Sequence, residues 1–492
     1  MKACLVPSLV VLASLAPAQK PAETVPTEPV VSKHTITFNG APLAYTATAG
    51  LMPIRNDDGD VEGRMFYVAY TKEGEQPGRR PLTFAYNGGP GSSTMWLHMG
   101  MLGPRRVVLE KDGSMPPPPF TLTDNQETWL DKTDLVMVDA MGTGYSRPEK
   151  AELGKKFYGM RGDISAFGEF VRAYLAKNHR FGSPLFLAGE SYGGIRTAGL
   201  SNYLLDRGIA LNGAIIISGV TNFGTLDSAR GNDIPFIGFL PSMSATAWYH
   251  KKLGNRYPNL NALLSEVQKF ASGEYAEALL AGSSLGEART KAVAKKLAGY
   301  IGLNERYVLN SHLRVREWEF FKELMREDGK TVGRLDSRFT GQDAREVGSG
   351  PEYDPATAAV TPVFNSMVND YLDRELGYSR EDRYRMNNYG GMGGWDYGRG
   401  GDGYPDTSED LRQSLVQNPH MKLMFSCGYY DLACPYWAMH YTVDHMDLAP
   451  AQMSRISWGY YPAGHMMYVD DACREKLKKD IDAFYDSAVA KR

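Results

Sequence analysis

The 492-residue sequence predicts an α/β protein, with a mostly parallel central sheet flanked by helices and a large, mainly helical insert or lid. Three observations predict it. Short apolar runs of the buried-strand type, Leu82 to Tyr86, Asp134 to Asp139, Leu185 to Ala188 and Ala214 to Ser218, are each followed closely by Gly, Asp or Ser. Helical patterns lie between them, notably Asp163 to Asn178 and Tyr192 to Leu205. The strand rhythm stops after about Phe223 and resumes only at Lys422 to Gly428 and Ile456 to Tyr461, before a closing helix from Asp471 to Ala488. Strand alternating with helix implies a parallel sheet whose carboxyl edge carries short, functional loops.

The chain opens with Met1-Lys2-Ala3-Cys4 and an apolar run from Leu5 to Ala16, and Ala16-Pro17-Ala18 supplies the small residues a signal peptidase needs. Residues 1–18 are read as a signal peptide, and the mature protein is expected to be secreted or periplasmic. A Pro-rich leader without fixed structure follows over residues 19–33. His34 to Gly40, Leu43 to Thr48 and Arg64 to Thr71 then alternate apolar and polar residues like antiparallel strands. The core is expected in two parts, 34–223 and 418–492, around an insert at 224–417. Within the insert, Ala276 to Ile301 reads as helical, and Asn387 to Gly403 packs Gly, Tyr, Trp, Asn and Arg into a low-complexity loop.

Composition excludes several classes of function. A formal net charge of -3, from 54 basic and 57 acidic residues, exerts no long-range pull on nucleic acid or an anionic membrane, and neither is expected as a partner. No segment beyond the first 18 residues is long and apolar enough to insert stably in a bilayer. Cleavage after Ala18 leaves Cys427, Cys434 and Cys473, so at most one bridge forms within the chain. The spacings Cys-x-x-Cys and His-Glu-x-x-His are absent, which argues against a metal site.

The run Leu185-Phe186-Leu187-Ala188-Gly189-Glu190-Ser191-Tyr192-Gly193-Gly194 sets Gly-x-Ser-x-Gly between a buried strand and a helix. That context makes Ser191 the nucleophile of an α/β-hydrolase fold, on a turn too sharp for larger flanking side chains. A second loop, Asn87-Gly88-Gly89-Pro90-Gly91-Ser92-Ser93, follows the strand Leu82 to Tyr86 and lacks the Lys-Ser/Thr ending of a phosphate loop. Its Gly89 amide and the Tyr192 amide are the expected oxyanion hole. The general base belongs after the last strand, which selects His465 in Tyr461-Pro462-Ala463-Gly464-His465-Met466. The acid belongs after the preceding strand, which selects Asp431, while Asp470 and Asp471 suit capping of the final helix. Such a triad hydrolyses through an acyl-enzyme and requires no cofactor.

Several of these motifs together resemble the serine carboxypeptidases, as an exported member of bacterial type. The resemblance runs through Asn87-Gly88-Gly89-Pro90-Gly91-x-Ser93, Leu102-Gly103-Pro104, Asn125-x-x-x-Trp129, Asp139-x-x-Gly142-x-Gly144-Tyr145-Ser146, Gly189-Glu190-Ser191-Tyr192-Gly193-Gly194, Gly428-x-x-Asp431 and Gly464-His465-Met466. It implies release of C-terminal residues from peptides with a free C-terminus, whose carboxylate would be held by Asn87, Gly88 and Glu190. Met466 would line the leaving-group pocket. Cys434 would be either a thiol lining the site or half of a bridge with Cys427. Two departures stand out. Ser92 replaces a family cysteine, and Met101 replaces the second glutamate that precedes Leu-Gly-Pro, so the paired-carboxyl device of the family is incomplete. His98, Arg105 or Arg106 are alternative partners for a substrate carboxylate. An esterase or acyltransferase on the same scaffold is the competing reading.

Overall fold

The computed structural model describes residues 28–397 and 404–489. The expected signal peptide at 1–18, the expected leader as far as residue 27 and residues 398–403 of the Gly-rich loop lie outside the described residues.

Three strands, β1 (Val30–Phe38), β2 (Ala41–Arg55) and β3 (Val61–Lys72), form an antiparallel meander. The first begins earlier than the expected leader boundary at residue 33. Val30 already pairs with Ala49 and Ser32 with Ala47, so the β-branched pair Val30-Val31 extends the ladder rather than trailing free. Six further strands follow: β4 (Leu82–Tyr86), β5 (Asp134–Val138), β6 (Leu185–Glu190), β7 (Gly213–Ile217), β8 (Lys422–Gly428) and β9 (Ile456–Tyr461). The sheet runs in the order β1-β2-β3-β5-β4-β6-β7-β8-β9, antiparallel as far as β5 and parallel from there on.

Every residue of β4, β5, β6 and β7 is buried, because helices cover both faces. The pleat divides their side chains between two cores: Leu185 and Leu187 face one, Phe186 and Ala188 the other. The first core is closed by α1 (Met160–Lys177) and α2 (Gly193–Leu205), through Phe167, Phe170, Ile195 and Leu200.

The insert divides in two. Helix α3 (Ile234–Tyr249), with helices Leu260–Phe270, Ala276–Ala281, Glu287–Ile301 and Glu317–Glu323, builds a third core around Phe239, Leu263, Leu297 and Phe320. The stretch from Ala276 to Ile301 is helical, as expected, and falls into more than one helix. Gly282 (φ 53°) and Gly286 (φ 77°) take the left-handed backbone that glycine tolerates and split it into two helices. Helix α4 (Pro355–Asp370) instead packs on the main sheet through Val360, Val363 and Phe364. Beyond β8 come α5 (Tyr436–Asp444) and, after β9, α6 (Asp471–Ala488). Leu477, Ile481, Phe484 and Tyr485 of α6 close the second core, and Asp470 caps the helix by accepting from Cys473 N at 3.0 Å. This is the α/β-hydrolase architecture that the sequence predicts.

Candidate active site

Ser191 sits in the turn between β6 and α2 with φ at 63°, a left-handed conformation that a non-glycine residue adopts only under constraint from its surroundings. The constraint is visible. Ser191 N donates to Ile217 O of β7 at 3.1 Å, and a Cβ on Gly189 would collide with Gly193 O and Thr197 Oγ1. The β4 loop presses against the same turn, since a Cβ on Gly88 would fall 2.5 Å from both Tyr192 N and Gly193 N. Gly89 follows with φ at 108°. Side-by-side pairing of β4 and β6, with Tyr86 opposite Gly189, brings the Gly88-Gly89 backbone and the Tyr192 amide together.

Asp431 and His465 arrive from the ends of β8 and β9, which pair in parallel as far as Gly428 opposite Tyr461. Both are buried, at 0% and 3% exposure. Asp431 Oδ1 accepts from Ala433 N (2.7 Å) and Cys434 N (2.9 Å), leaving Oδ2 to accept from His465 Nδ1 at 2.7 Å. Burial works against a charged His465 ring. The Asp431 carboxylate outweighs it, so the imidazole is held above its ordinary value, with Glu190 adding to the rise and Arg334 opposing it.

The Cys434 thiol lies beside Ser191, and burial raises its pKa, so it stays protonated. Cys427, Cys434 and Cys473 are all free and buried.

Ser191, Glu190, Asn87, Gly88, Gly89, His465 and Met466 line one cleft of about 370 Å³, a volume suited to a small ligand. A larger depression of about 630 Å³, lined by Asn222, Asn232, Tyr404 and Asp406, contains none of them. Glu190 is 3% exposed, and burial raises its carboxyl to about 7, against the pull of His465, Tyr468 and Asn87. Asn87 Nδ2 donates to Glu190 Oε1 at 2.8 Å, while Asn87 Oδ1 accepts from Leu97 N at 3.0 Å, which fixes the amide's orientation.

The three alternative carboxylate partners are placed elsewhere. His98 is buried against the Tyr70 hydroxyl at 2.6 Å, and burial lowers its pKa to about 3. Arg105 pairs with Asp124 and Glu375, and Arg106 faces Glu127 at 3.8 Å; none of the three lines the cleft.

Other residues escape a reading of the sequence. Arg196, five residues beyond Ser191, is fully buried, pairs with Asp163 at 2.8 Å and donates to Asn87 O at 2.7 Å, tying α2 to the β4 loop. A lone arginine on a helix of small and apolar residues is the signal for it. From the insert, Leu335 O accepts from His465 N at 2.6 Å and Asp336 Oδ2 from Gly464 N at 2.9 Å. Arg338 completes this clamp, donating to Pro462 O and pairing with Asp336 and Asp470. Exposed Arg334 reaches into the cleft without an ion pair among the described residues, and its charge is felt at His465, Cys434 and Tyr389. Nothing in the local sequence marks residues 334–338, because their role depends on contacts made some 130 positions away in the chain.

The serine carboxypeptidase family model matches residues 39–305, more than half of the chain. The pheromone-processing carboxypeptidase KEX1 of Saccharomyces cerevisiae is 30% identical over 170 residues, 32% of this chain and 22% of that protein. Serine carboxypeptidase S10 family member 1 of Dictyostelium discoideum is 24% identical over 242 residues, 47% of this chain and 51% of that one. The chain thus spans between about a fifth and about half of the length of these relatives. Proline iminopeptidase of Mycobacterium smegmatis superposes with a TM-score of 0.38 at 12% identity, covering 89% of this chain and 98% of that one, too loosely to argue from. The family match over more than half of its length places the chain in the serine carboxypeptidase family.

Proposed function

We propose that the protein is a serine-type carboxypeptidase that releases C-terminal residues from peptides through an acyl-enzyme on Ser191. One observation carries the reading: Ser191 and His465, the latter bonded from behind to Asp431, share a cleft with Asn87, Gly88 and Glu190. In the proposed cycle His465 Nε2 takes the Ser191 proton as Oγ attacks the last peptide carbonyl, and Asp431 holds the ring in the tautomer that leaves Nε2 free. The oxyanion is stabilised by the amides of Gly89 and Tyr192. Collapse expels the C-terminal amino acid, whose amine takes the proton from His465, and water then resolves the acyl-enzyme by the same route in reverse. Met466 lines the leaving-group side, and the Cys434 thiol borders the nucleophile.

The terminal carboxylate is bound by the Asn87 amide, the Gly88 backbone and the protonated Glu190 carboxyl. With its pKa raised to about 7, Glu190 is a hydrogen-bond donor below that pH and a repelling anion above it. Turnover of a free-acid peptide is therefore expected to fall as pH rises through about 7, while an ester without a terminal carboxylate keeps its activity there. On the acid side both substrates lose turnover as His465 protonates. Parallel alkaline limbs for the two substrates would remove Glu190 from carboxylate recognition.

A fluorophosphonate probe should label the wild type and leave Ser191→Ala unmarked. Amidation of the peptide C-terminus should abolish cleavage; equal cleavage of acid and amide would move the reading to an esterase or acyltransferase. Export directed by residues 1–18 belongs to the same proposal, and a mature N-terminus at Gln19 in the secreted or periplasmic fraction is the result expected.

A further inference from the structure

The carboxylate end of the cleft contains one carboxyl where the resemblance implies two. Met101 occupies the position of the second glutamate, fully buried in the apolar core that α6 closes. Another side chain reaches Glu190 from behind the residues that line the cleft. Tyr468, in the turn three residues beyond His465, is 0% exposed, and its hydroxyl stands beside Glu190 and Asn87.

Its route is opened by Gly100, the neighbour of Met101. A Cβ there would lie 2.5 Å from Tyr468 Cε2 and 2.7 Å from Cδ2, so the ring occupies the volume that any larger residue would claim. Glu190 Oε1 is taken by Asn87 Nδ2, but Glu190 Oε2 and the Tyr468 hydroxyl complete no hydrogen bond of regular geometry. Two buried polar atoms therefore stand together with unused hydrogen-bonding capacity. Leaving such a bond unmade in a buried place is costly, so a ligand that completes the network gains by it.

We propose that Tyr468 is a positioning residue whose hydroxyl takes the place of the missing carboxyl behind Glu190 and holds the Glu190 carboxyl, with Asn87, in place to receive the substrate's terminal carboxylate. The inference rests on the carboxypeptidase reading. Its chemical consequence is distinct from that of a carboxyl pair. Two carboxyls must share a proton to accept an anion, which confines recognition to acid pH, whereas a phenol keeps its proton far into the alkaline range, and burial here raises it further. The groups that face Glu190 are His465, Asp431, Tyr468, Asn87 and the Cys434 thiol. Asp431 is committed to His465, which leaves Glu190 itself as the group whose ionisation ends carboxylate binding.

The test compares Tyr468→Phe with wild type on three substrates: a blocked dipeptide with a free C-terminus, its amide, and a blocked amino-acid ester without a terminal carboxylate. Wild type is expected to cleave the acid and spare the amide. Tyr468→Phe keeps the ring against Gly100 and loses the hydroxyl, so KM for the acid should rise about tenfold or more while kcat and ester turnover change by less than about twofold. Gly100→Ala, which displaces the ring and keeps the hydroxyl, should give the same selective rise. An unaltered KM for the acid in either variant overturns the assignment. So does an equal loss on acid and ester in enzyme whose Ser191 still labels, since that marks a purely structural tyrosine. Wild-type enzyme that cleaves acid and amide alike defeats the carboxypeptidase reading and the role of Tyr468 with it.

Discussion

The two walls of the cleft are held by different means. On the sheet side the positions that matter are backbone: Gly88 against the Tyr192 amide, Gly89 at positive φ, and Ser191 strained on its turn. Behind them lies a buried ion pair, Asp163 with Arg196, whose guanidinium grips Asn87 O. On the insert side the lining is side chain: Arg334, Thr357, Asn387 and Tyr389. That wall hangs on one cap, where Asp354 accepts from Arg334 N, Leu335 N, Ala356 N and the Thr357 hydroxyl. Backbone packed at van der Waals contact has no alternative arrangement, whereas the exposed side chains of Arg334 and Tyr389 have many rotamers. The sheet wall is thus suited to the fixed geometry that the proposed acyl transfer needs, and the insert wall to adjustment around the differing peptides proposed as substrates.

Substitutions can break or sharpen this contrast. Asp163→Ala leaves Arg196 buried without its counter-charge and should cost about 3–5 kcal/mol of stability in denaturant unfolding; a loss below about 1 kcal/mol would mean that packing alone holds the β4 loop. Gly88→Ala drives a methyl group into the Tyr192 and Gly193 amides, and kcat should fall about 100- to 1000-fold on acid and ester substrates alike. Near-normal turnover would show a pliant sheet wall. Asp336→Ala releases Gly464 N and lets the His465 loop shift, so kcat should drop by roughly tenfold to a hundredfold with KM little altered. The smallest effect is expected at the exposed cation. Arg334→Gln should raise KM for free-acid peptides by about threefold at low salt and by less at high salt, as screening predicts. A large, salt-independent change there would make the insert wall as exacting as the sheet wall.

The sheet wall was also the part most legible in the sequence, for the same physical reason. A strand buried on both faces must be apolar throughout, and it must end where the chain turns to expose a functional loop. The limits Leu82–Tyr86, Lys422–Gly428 and Ile456–Tyr461 therefore read directly from the residues. Gly189, Ser191 and Gly193 announce their turn because few other residues could occupy it. Edges were harder. Val30-Val31 looked like the tail of a Pro-rich leader, and only the pairing partner Thr48-Ala49, across the hairpin, makes a strand of it. The break at Gly282 and Gly286 was lost in a run of good helix formers. Arg334, Asp336 and Tyr468 act through space on residues remote in the chain or against a glycine whose significance is the room it leaves, and local pattern carries no trace of that.

One contact bears on how such an enzyme could be shortened. The amide of His465 hangs on Leu335 O, and a Cβ on Gly464 would strike Leu335 O and Asp336. The proposed general base is therefore seated partly on the insert, although its own loop belongs to the sheet. An attempt to trim the protein to a minimal hydrolase by excising residues 224–417 would remove the support beneath its base, and grafting a foreign lid would succeed only if the graft brought a carbonyl and a carboxylate back to those two amides.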